Sequence, residues 1–234
     1  MIRKNLFVSL CVFMGVALVG SAAIALQAKE PAKEPAKEPA KQPAKGDTKP
    51  ATGAPQEPGL PPGWSEADMQ ACMLAATPGE MHAHLMKDVG VWHGKNTMWM
   101  APDTEPVTSE CTATITPIMD GRFIKCEVTG DMPGMGPFNG YGIYGFDNVT
   151  QKFVGTWVDN CGTGIMSGSG ELSSDGKVMT WKYTYNCPIT KKPTVMREVD
   201  TLTSPNAKKL EMFGTDPKSG KEFKMMVIEY TRKS

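Results

Sequence analysis

The chain has 234 residues and carries 25 Lys and Arg against 25 Asp and Glu, so its formal net charge is zero. A chain without excess positive charge has no field that attracts a polyanion, so the composition argues against a nucleic-acid-binding protein. Prolines recur from residue 31 to residue 62, and a segment of that kind cannot contribute to a core. A folded domain is therefore expected only after it.

Residues 1–25 have the pattern of a secretory signal peptide. Arg3 and Lys4 precede an apolar run from Leu6 to Leu26, and small residues ending at Ala25 form a site that a signal peptidase accepts. We therefore expect an exported protein, periplasmic or secreted. The same run is long enough to cross a bilayer uncleaved, so a membrane anchor is the alternative interpretation.

Residues 26–63 form a predicted disordered linker that is rich in Lys, Glu, Pro and Ala. The sequence Lys-Glu-Pro-Ala recurs there between Lys29 and Gly46. Such a segment buries no apolar area and favours extended polyproline geometry. At about 3.1 Å per residue, it would hold a folded domain as much as ~100 Å from its point of origin. We interpret it as a spacer rather than as a docking motif.

Two short helices are predicted at the start of the folded domain. The first spans Trp64 to Ala76, with Ser65 as its N-cap and Asp68 three residues later. The second follows the segment Thr77 to Glu80, which repeats this capping pattern, and it ends before Gly90. Both are too short to form a core by themselves, so they are expected to precede the main sheet.

Beyond Gly90 the sequence alternates polar and apolar residues in short segments separated by turn signals such as Asp120-Gly121. Consecutive short strands favour an up-and-down barrel over a sandwich, because closure removes both exposed edges. We predict that residues 64–234 form an all-β, calycin-like antiparallel barrel of about ten strands after one or two short helices. The predicted strands are Val91 to Met100, Val107 to Met119, Arg122 to Gly130, Phe138 to Phe146, Lys152 to Asp159, Thr163 to Leu172, Val178 to Asn186, Thr194 to Thr203, Lys208 to Thr215 and Glu222 to Arg232.

The segment from Phe138 to Asn160 has the clearest strand periodicity and predicts one hairpin. Glycine removes a side chain where a bent sheet is crowded, and neighbouring aromatic rings fill the space. Asp147, in the turn of this hairpin, is expected to cap backbone N–H groups. Glycine and aromatic residues alternate along the hairpin at Gly140, Gly142, Tyr144, Phe146, Phe153, Gly155 and Trp157.

The first and the last predicted strand carry a Trp and an Arg in a recognisable arrangement. Gly90-Val91-Trp92 opens the first strand after a short helix, and Arg232 closes the last strand. This arrangement resembles the calycin superfamily of lipocalin-like and nitrobindin-like barrels. The resemblance implies that Trp92 packs beneath the barrel against Arg232, a structural contact worth about 1 to 2 kcal/mol when sheltered.

A closer resemblance covers His84 to Arg232. This part of the chain resembles a bacterial family known only as domain-of-unknown-function family 1579, within the same superfamily. The resemblance implies a barrel and no particular activity. The matching residues are His84-Leu85, Gly90-Val91-Trp92, Asp120-Gly121-Arg122-Phe123, Gly145-Phe146-Asp147, Trp157-Val158-Asp159 and Glu229-Tyr230-Thr231-Arg232.

A barrel of this size can enclose one small molecule, so the leading hypothesis is non-enzymatic binding of a small, largely apolar ligand. The sequence leaves open which face of each strand points inward. The candidate ligand-binding residues are Tyr141, Ile143, Phe153, Trp157 and Asp159.

Two other hypotheses belong to different functional classes. In one, the barrel is filled by its own Met and aromatic side chains and serves as a tethered structural or interaction module. In the other, it is an enzyme on lipid-like or oxidised substrates with Asp159 or Glu127 as the acid, although the sequence spells out no catalytic group. A cavity would favour ligand binding over the self-filled barrel, and a titratable group inside it would favour the enzyme.

We expect neither a metal nor another cofactor. No His follows His93, whereas the resemblance to nitrobindin-like barrels implies a haem-ligating His late in the chain, for which only a Met such as Met226 could substitute. Met98, Met100 and the segment Met132 to Met135 offer soft ligands for Cu(I). Met98 and Met100 share a strand face, however, as core residues do.

The cysteines predict one disulfide. Cys11 lies in the signal peptide, so five of the six remain after export into an oxidising compartment, and at least one stays unpaired. A hairpin from Gly162 to Asn186 brings Cys161 and Cys187 to the same end of the sheet. We predict a bridge between them, with Cys72 as a leftover thiol.

A second cysteine pair is excluded by register. A turn at Asp120-Gly121 places Cys126 opposite Ile115. Cys111 is then four residues out of step, too far along the strand for a disulfide.

Overall fold

The computed structural model of the chain describes residues 60–233, in which two helices precede ten strands. The predicted signal peptide, residues 1–25, and most of the predicted linker, residues 26–63, lie outside the described residues. Residues 70–233 belong to one compact unit, and residues 60–69 belong to another. Within the described part of the chain, no helix has the length and apolar character needed to cross a bilayer.

Helix α1, Glu66–Ala76, begins at the predicted capping residues. The backbone N–H of Asp68 donates to the Ser65 hydroxyl at 3.2 Å, and the Asp68 carboxylate accepts the Ser65 N–H at 2.8 Å. This reciprocal pair is a capping box. Beyond the helix, the side-chain amide of Asn148 donates to the carbonyl of Thr77 at 2.8 Å, which ties this segment to the barrel.

Helix α2, Glu80–Leu85, begins two residues later than a Thr77 cap would require. Its N-cap is Gly79, whose N–H donates to Nδ1 of His82 at 3.0 Å. The His82 side chain therefore performs the capping that the sequence assigned to the Thr77 segment. A single 3-10 turn, Met86–Asp88, leads from α2 into the first strand.

The strands follow one another in hairpin order, and pairing of the first with the last closes an antiparallel barrel, as predicted. Closure leaves no unpaired sheet edge, so the backbone hydrogen bonds of every strand are used on both sides. The ten strands of the described residues are β1 (Gly90–Met98), β2 (Val107–Ile118), β3 (Phe123–Met132), β4 (Gly136–Asp147), β5 (Lys152–Asp159), β6 (Met166–Leu172), β7 (Val178–Asn186), β8 (Pro193–Ser204), β9 (Ala207–Thr215) and β10 (Glu222–Arg232).

The β4–β5 hairpin confirms the predicted alternation and fixes which face points inward. Tyr144 lies opposite Gly155, and Gly142 lies opposite Trp157. Directly opposed residues of an antiparallel pair share a face, so all four lie inside the barrel. A Cβ at Gly155 would stand 2.7 Å from the Tyr144 ring, so the ring occupies space that only a glycine leaves free.

The hydrophobic core lies inside the barrel and is built mainly from aromatic and Met side chains. Trp92, Tyr183 and Met196 are its largest fully buried members. Met98 is 4% exposed, which confirms its predicted role as a core residue. Thioether side chains fill irregular gaps between rings, which accounts for the methionines of this core.

Candidate functional site

One end of the barrel is closed by Trp92. The Arg232 guanidinium lies 4.0 Å from the centre of the indole ring, which confirms the predicted contact. The guanidinium also donates to the backbone carbonyls of Val89 and Lys87. The Trp92 indole N–H donates to the Asp88 carbonyl at 2.8 Å. The polar atoms of this pair are therefore satisfied by the backbone that crosses beneath the barrel.

Gly90 makes room for that contact. Its φ of +138° is a conformation that residues with a side chain rarely adopt. A Cβ there would lie 2.7 Å from Nη1 of Arg232. Gly90, Trp92 and Arg232 together form what we call the floor of the barrel.

Above the floor, the barrel contains a cavity of about 190 Å³, and all ten strands of the described residues contribute to its wall. An apolar cavity of ~150 Å³ holds a benzene molecule, so this one has room for a single ring with a short substituent. Much of the wall is apolar and includes Phe138, Tyr144, Trp157, Met166, Trp181 and Met212.

The residues predicted to form the wall fall on both faces of the sheet. Trp157 lines the cavity, and Phe153 points inward and is 3% exposed within the adjacent aromatic core. Tyr141 and Ile143 are 49% and 39% exposed on the outer face, so the prediction for these two is wrong. They alternate with Tyr144, which points inward, and a pleated strand sends neighbours to opposite faces.

The two acids proposed from the sequence do not belong to the cavity wall of the described residues. Asp159 accepts the Trp157 indole N–H at 3.0 Å and the Cys161 N–H at 2.9 Å, so it organises the end of β5. Glu127 is exposed on the outer face and lies 2.8 Å from Lys125. A cavity acid must therefore come from another strand.

Asp147 has the predicted turn role. Its carboxylate accepts the Val149 N–H at 2.9 Å and the Thr150 hydroxyl at 2.6 Å. These hydrogen bonds, the one from Thr150 foremost, lower the pKa of Asp147. The group shapes the β4–β5 turn and lies away from the cavity.

The predicted disulfide is wrong, because Cys161 and Cys187 are both free thiols. They follow β5 and β7, and β6 lies between these strands. Two strand spacings amount to ~10 Å, beyond the ~7 Å between Cα atoms that a disulfide spans. The other cysteine prediction is confirmed, since Cys126 pairs with Ile115 and Cys111 is out of step with it.

Lys208 is the centre of a buried charge cluster that the sequence analysis did not find. Its ammonium lies 2.9 Å from Oδ2 of Asp200 and 3.5 Å from Oδ1 of Asp88, and its side chain is 8% exposed. Burial alone lowers the pKa of Lys208, but the two carboxylates outweigh this and raise it above its ordinary value. The ammonium therefore stays charged. It also lies 5.2 Å from the centre of the Trp92 ring, so the cluster borders the floor.

Glu198 lines the cavity beside this cluster, two residues before Asp200 on β8. Burial, followed by the negative charge of Asp200, raises the pKa of its carboxyl to about 8, and Lys208 offsets this only in part. A carboxyl with this pKa is protonated in most molecules at neutral pH. We call Asp88, Glu198, Asp200 and Lys208 the polar end of the cavity.

Two polar atoms of the cavity wall have no hydrogen-bond partner among residues 60–233. They are Oδ1 of Asn96 and Oδ1 of Asp200. Both can only accept hydrogen bonds. A buried polar group left unpaired costs about 1 to 3 kcal/mol, so this wall has capacity for hydrogen bonds from an occupant.

The other titratable groups of the interior keep their protons. Burial raises the pKa of Cys126 to about 12 and the pKa values of Tyr144, Tyr183 and Tyr230 well above the ordinary range. A thiol that retains its proton is a poor nucleophile. These groups therefore offer polarity and hydrogen bonds rather than covalent chemistry.

The histidines are dispersed. His82 is buried and caps α2, His84 lines the cavity and has its pKa lowered by burial, and His93 is exposed. In the part of the chain that the structure describes, no three His, Cys, Asp or Glu side chains are grouped as a metal site.

A signal for the polar end was present in the sequence. Glu198 and Asp200 lie between Met196 and Leu202 at every second position of one strand. The two acids therefore share a strand face with apolar residues. That alternation could have placed both acids inside the barrel. The contact of Asp200 with Lys208 depends on the register between β8 and β9.

The sequence model of one protein family, described as "Protein of unknown function (DUF1579)", matches residues 77–232. This range contains α2, the ten strands of the described residues, the floor and the polar end of the cavity. No curated protein matches the chain.

Two solved structures share the barrel fold. An S-type phycobiliprotein lyase from Guillardia theta matches with a TM-score of 0.50 at 10% identity, over 70% of this chain and 97% of that one. Rv2717c from M. tuberculosis matches with a TM-score of 0.53 at 12% identity, over 68% of this chain and 100% of that one. At these identities the likeness establishes the calycin-like fold alone.

Proposed function

The chain belongs to the DUF1579 family, and we propose that its barrel binds one small organic molecule in the interior cavity without transforming it. The observation that carries this proposal is the cavity of about 190 Å³. Its wall contains both aromatic rings and polar atoms that lack a hydrogen-bond partner. The proposed ligand has an apolar body, which faces the rings, and a polar end. This refines the expectation of a largely apolar ligand, because a wholly apolar one would leave Asn96 and Asp200 unpaired.

The same cavity argues against a barrel filled by its own side chains. Protein interiors pack as tightly as organic crystals and leave few voids larger than a water molecule. Met and aromatic side chains fill the core around Met98 and Met196, but they leave the volume of the cavity without protein atoms. A space inside the barrel with unpaired polar atoms supports an occupant more than it supports a structural module.

Catalysis is a second candidate function, and Glu198 is the observation that favours it. A carboxyl with a pKa of about 8 inside a cavity is suited to general acid–base chemistry. Mass spectrometry of bound compounds before and after incubation with the protein would test this. A conversion that Glu198→Gln abolishes would replace binding by catalysis, whereas unchanged compounds support binding.

We also propose that binding takes place outside the cytoplasm, in the periplasm or after secretion. The support is the pattern of residues 1–25 and the spacer that follows. N-terminal sequencing of protein from the exported fraction tests this. A mature terminus shortly after Ala25 supports release from the membrane, and an intact Met1 in the membrane fraction supports an anchor.

A cavity-filling pair of variants tests the site of binding. Ser109 lines the cavity on β2, and Thr108 beside it is exposed on the outer face. Native mass spectrometry of full-length protein from the exported fraction would show co-purified ligand, and titration with 2-phenylethanol would show binding through Trp fluorescence. We expect Ser109→Phe to lose both signals and Thr108→Phe to retain them.

Two outcomes would overturn the proposal. Equal binding by Ser109→Phe and Thr108→Phe would place the ligand outside the cavity. Absence of both a co-purified molecule and 2-phenylethanol binding in the unmodified protein would remove ligand binding altogether.

A further inference from the structure

The polar end of the cavity has more carboxyl groups than positive charges. Lys208 is its one ammonium, and that ammonium pairs with Asp200 and Asp88. Glu198 faces the same cavity, and burial and neighbouring charges alone account for the shift in its pKa. Glu198 is therefore the carboxyl of this end that lacks a counter-ion.

The unpaired atoms beside it need hydrogen-bond donors. Oδ1 of Asp200 is free because Lys208 binds the other carboxylate oxygen, and Oδ1 of Asn96 is free as well. An occupant rich in N–H groups satisfies these atoms, and an occupant rich in acceptors does not.

Aromatic rings surround the same carboxyl. Glu198 lies opposite Trp181 in the β7–β8 pairing. Trp181 stacks on Tyr183 at 5.8 Å between ring centres, and Tyr144 meets Trp181 edge-on at 5.3 Å. The faces of such rings attract an ammonium ion, and this attraction is strongest where water is excluded. A carboxyl beside aromatic rings is a combination suited to an organic cation.

We propose that the cavity selects a small organic amine, whose ammonium donates to Glu198 and Asp200 while its apolar body lies against the aromatic wall. This inference rests on the proposed function, since it names the ligand class of the same cavity. An anionic compound of equal size would meet a second carboxyl and unpaired acceptor oxygens, which disfavours it.

Binding of an amine would release one proton. With a pKa of about 8, Glu198 is mostly protonated at neutral pH. An ammonium ion pairs with the ionised carboxylate, so the proton leaves to solvent as the ion pair forms. Affinity for an amine should therefore rise with pH up to about 8. The groups that act on or face Glu198 are Asp200 on its own strand, Lys208 on β9, Asp88 before β1, Cys126 on β3, Tyr144 on β4, Tyr183 on β7 and Tyr230 on β10.

Three isosteric probes test the inference on the full-length protein. 2-Phenylethylamine, 2-phenylethanol and phenylacetate share a ring and a short arm but differ in the charge of the polar end. We expect calorimetry at pH 8 to show the amine binding about tenfold more tightly than the alcohol, because a charge-assisted hydrogen bond replaces a neutral one. Phenylacetate should bind most weakly.

Two variants assign the effect to one residue. Glu198→Gln should lower amine affinity about tenfold, leave the alcohol unchanged and remove the pH dependence. Glu171→Gln, on the exposed face of β6, is the matched control and should change nothing. Titration in buffers of different ionisation enthalpy should show close to one proton released per amine at pH 7 in the unmodified protein, a result that does not depend on how the variants fold.

The outcomes separate this inference from the proposed function. If the alcohol or phenylacetate binds as tightly as the amine, or if no proton is released, the amine is not the ligand class, although the cavity remains a binding site. If Glu198→Gln folds and keeps the amine preference, the assignment to Glu198 is overturned. If none of the three probes binds, the inference is overturned too, and the proposed function then rests on the co-purified ligand alone.

Discussion

The floor and the polar end of the cavity are neighbours in one barrel, yet their polar groups are satisfied to different degrees. At the floor, Arg232 donates to two backbone carbonyls and Trp92 donates to a third. At the polar end, one oxygen of Asp200 is unpaired and Glu198 lacks a counter-ion. Because unpaired buried groups reduce stability, the floor is suited to closing the barrel and the polar end to receiving a ligand.

Lys208 connects the two regions. Its ammonium binds carboxylates of the polar end and lies over the Trp92 ring of the floor. A substitution of Lys208 therefore affects both regions, whereas a substitution of Trp92 affects the floor and a substitution of Glu198 affects the polar end. This difference orders the following predictions from the largest expected effect to the smallest.

Trp92→Ala should lower the free energy of unfolding by about 4 kcal/mol, because it removes a fully buried indole and leaves the Arg232 guanidinium without its ring. Urea denaturation measures the change. Trp64→Ala, at a side chain that is 46% exposed, is the control and should stay within about 0.5 kcal/mol. A loss below about 1 kcal/mol for Trp92→Ala would mean that the floor does not hold the barrel closed.

Lys208→Met should lower the free energy of unfolding by about 3 kcal/mol at pH 7, because Asp200 and Asp88 lose their shared counter-ion. The loss should shrink in acid, where protonation removes the unpaired charges. Lys209→Met breaks only a surface pair with Glu211 and should cost no more than about 0.5 kcal/mol. Equal effects of the two variants would contradict a buried ion pair at Lys208.

Glu198→Gln should raise the free energy of unfolding at pH 9 and leave it almost unchanged near pH 4. The folded-state pKa of about 8 lies above the unfolded value, so the stability that protonated Glu198 contributes is complete in acid and is lost as pH rises through about 8. Gln cannot ionise and so avoids this loss. Urea denaturation from pH 4 to pH 9, with Glu171→Gln as the control, measures it, and parallel pH curves would contradict the raised pKa.

Gly90→Ala should lower the free energy of unfolding by about 1 to 2 kcal/mol, since the new Cβ meets Arg232 and the positive φ becomes strained. Gly162→Ala is the control, because nothing lies within 4 Å of a Cβ there and its φ is not positive. Thermal denaturation of the two variants compares them. An undisturbed Gly90→Ala would show that Arg232 can shift without loss.

The fold could be predicted because its signals are local. Alternation over a few residues identifies a strand, and a turn such as Asp120-Gly121 joins it to the next, so hairpin order follows directly. The same turn gave the register that places Cys126 opposite Ile115. The pairing of Trp92 with Arg232 came from the resemblance to calycins, because the two residues lie at opposite ends of the domain.

The site was predicted only in part, because the alternation along a strand separates its two faces but does not show which face points inward. Tyr141 and Ile143 are as apolar as their inward neighbours, and the hairpin alone supports either orientation. Cys161 and Cys187 reach the same end of the sheet, but only the strand order shows that β6 separates them. Both errors concern how a strand is placed relative to the other strands, which a pattern along the chain does not show.

The sequence by itself determined the strands, their order and the glycine positions that let aromatic rings turn inward, since these depend on residues close together in the chain. Only the tertiary structure decided that Asp88, Glu198, Asp200 and Lys208 share one end of a cavity. Their charges depend on burial and on distances between strands, and closure of the barrel sets both. A barrel can therefore be recognised from local patterns, while the chemistry of its interior is fixed only when its strands are joined.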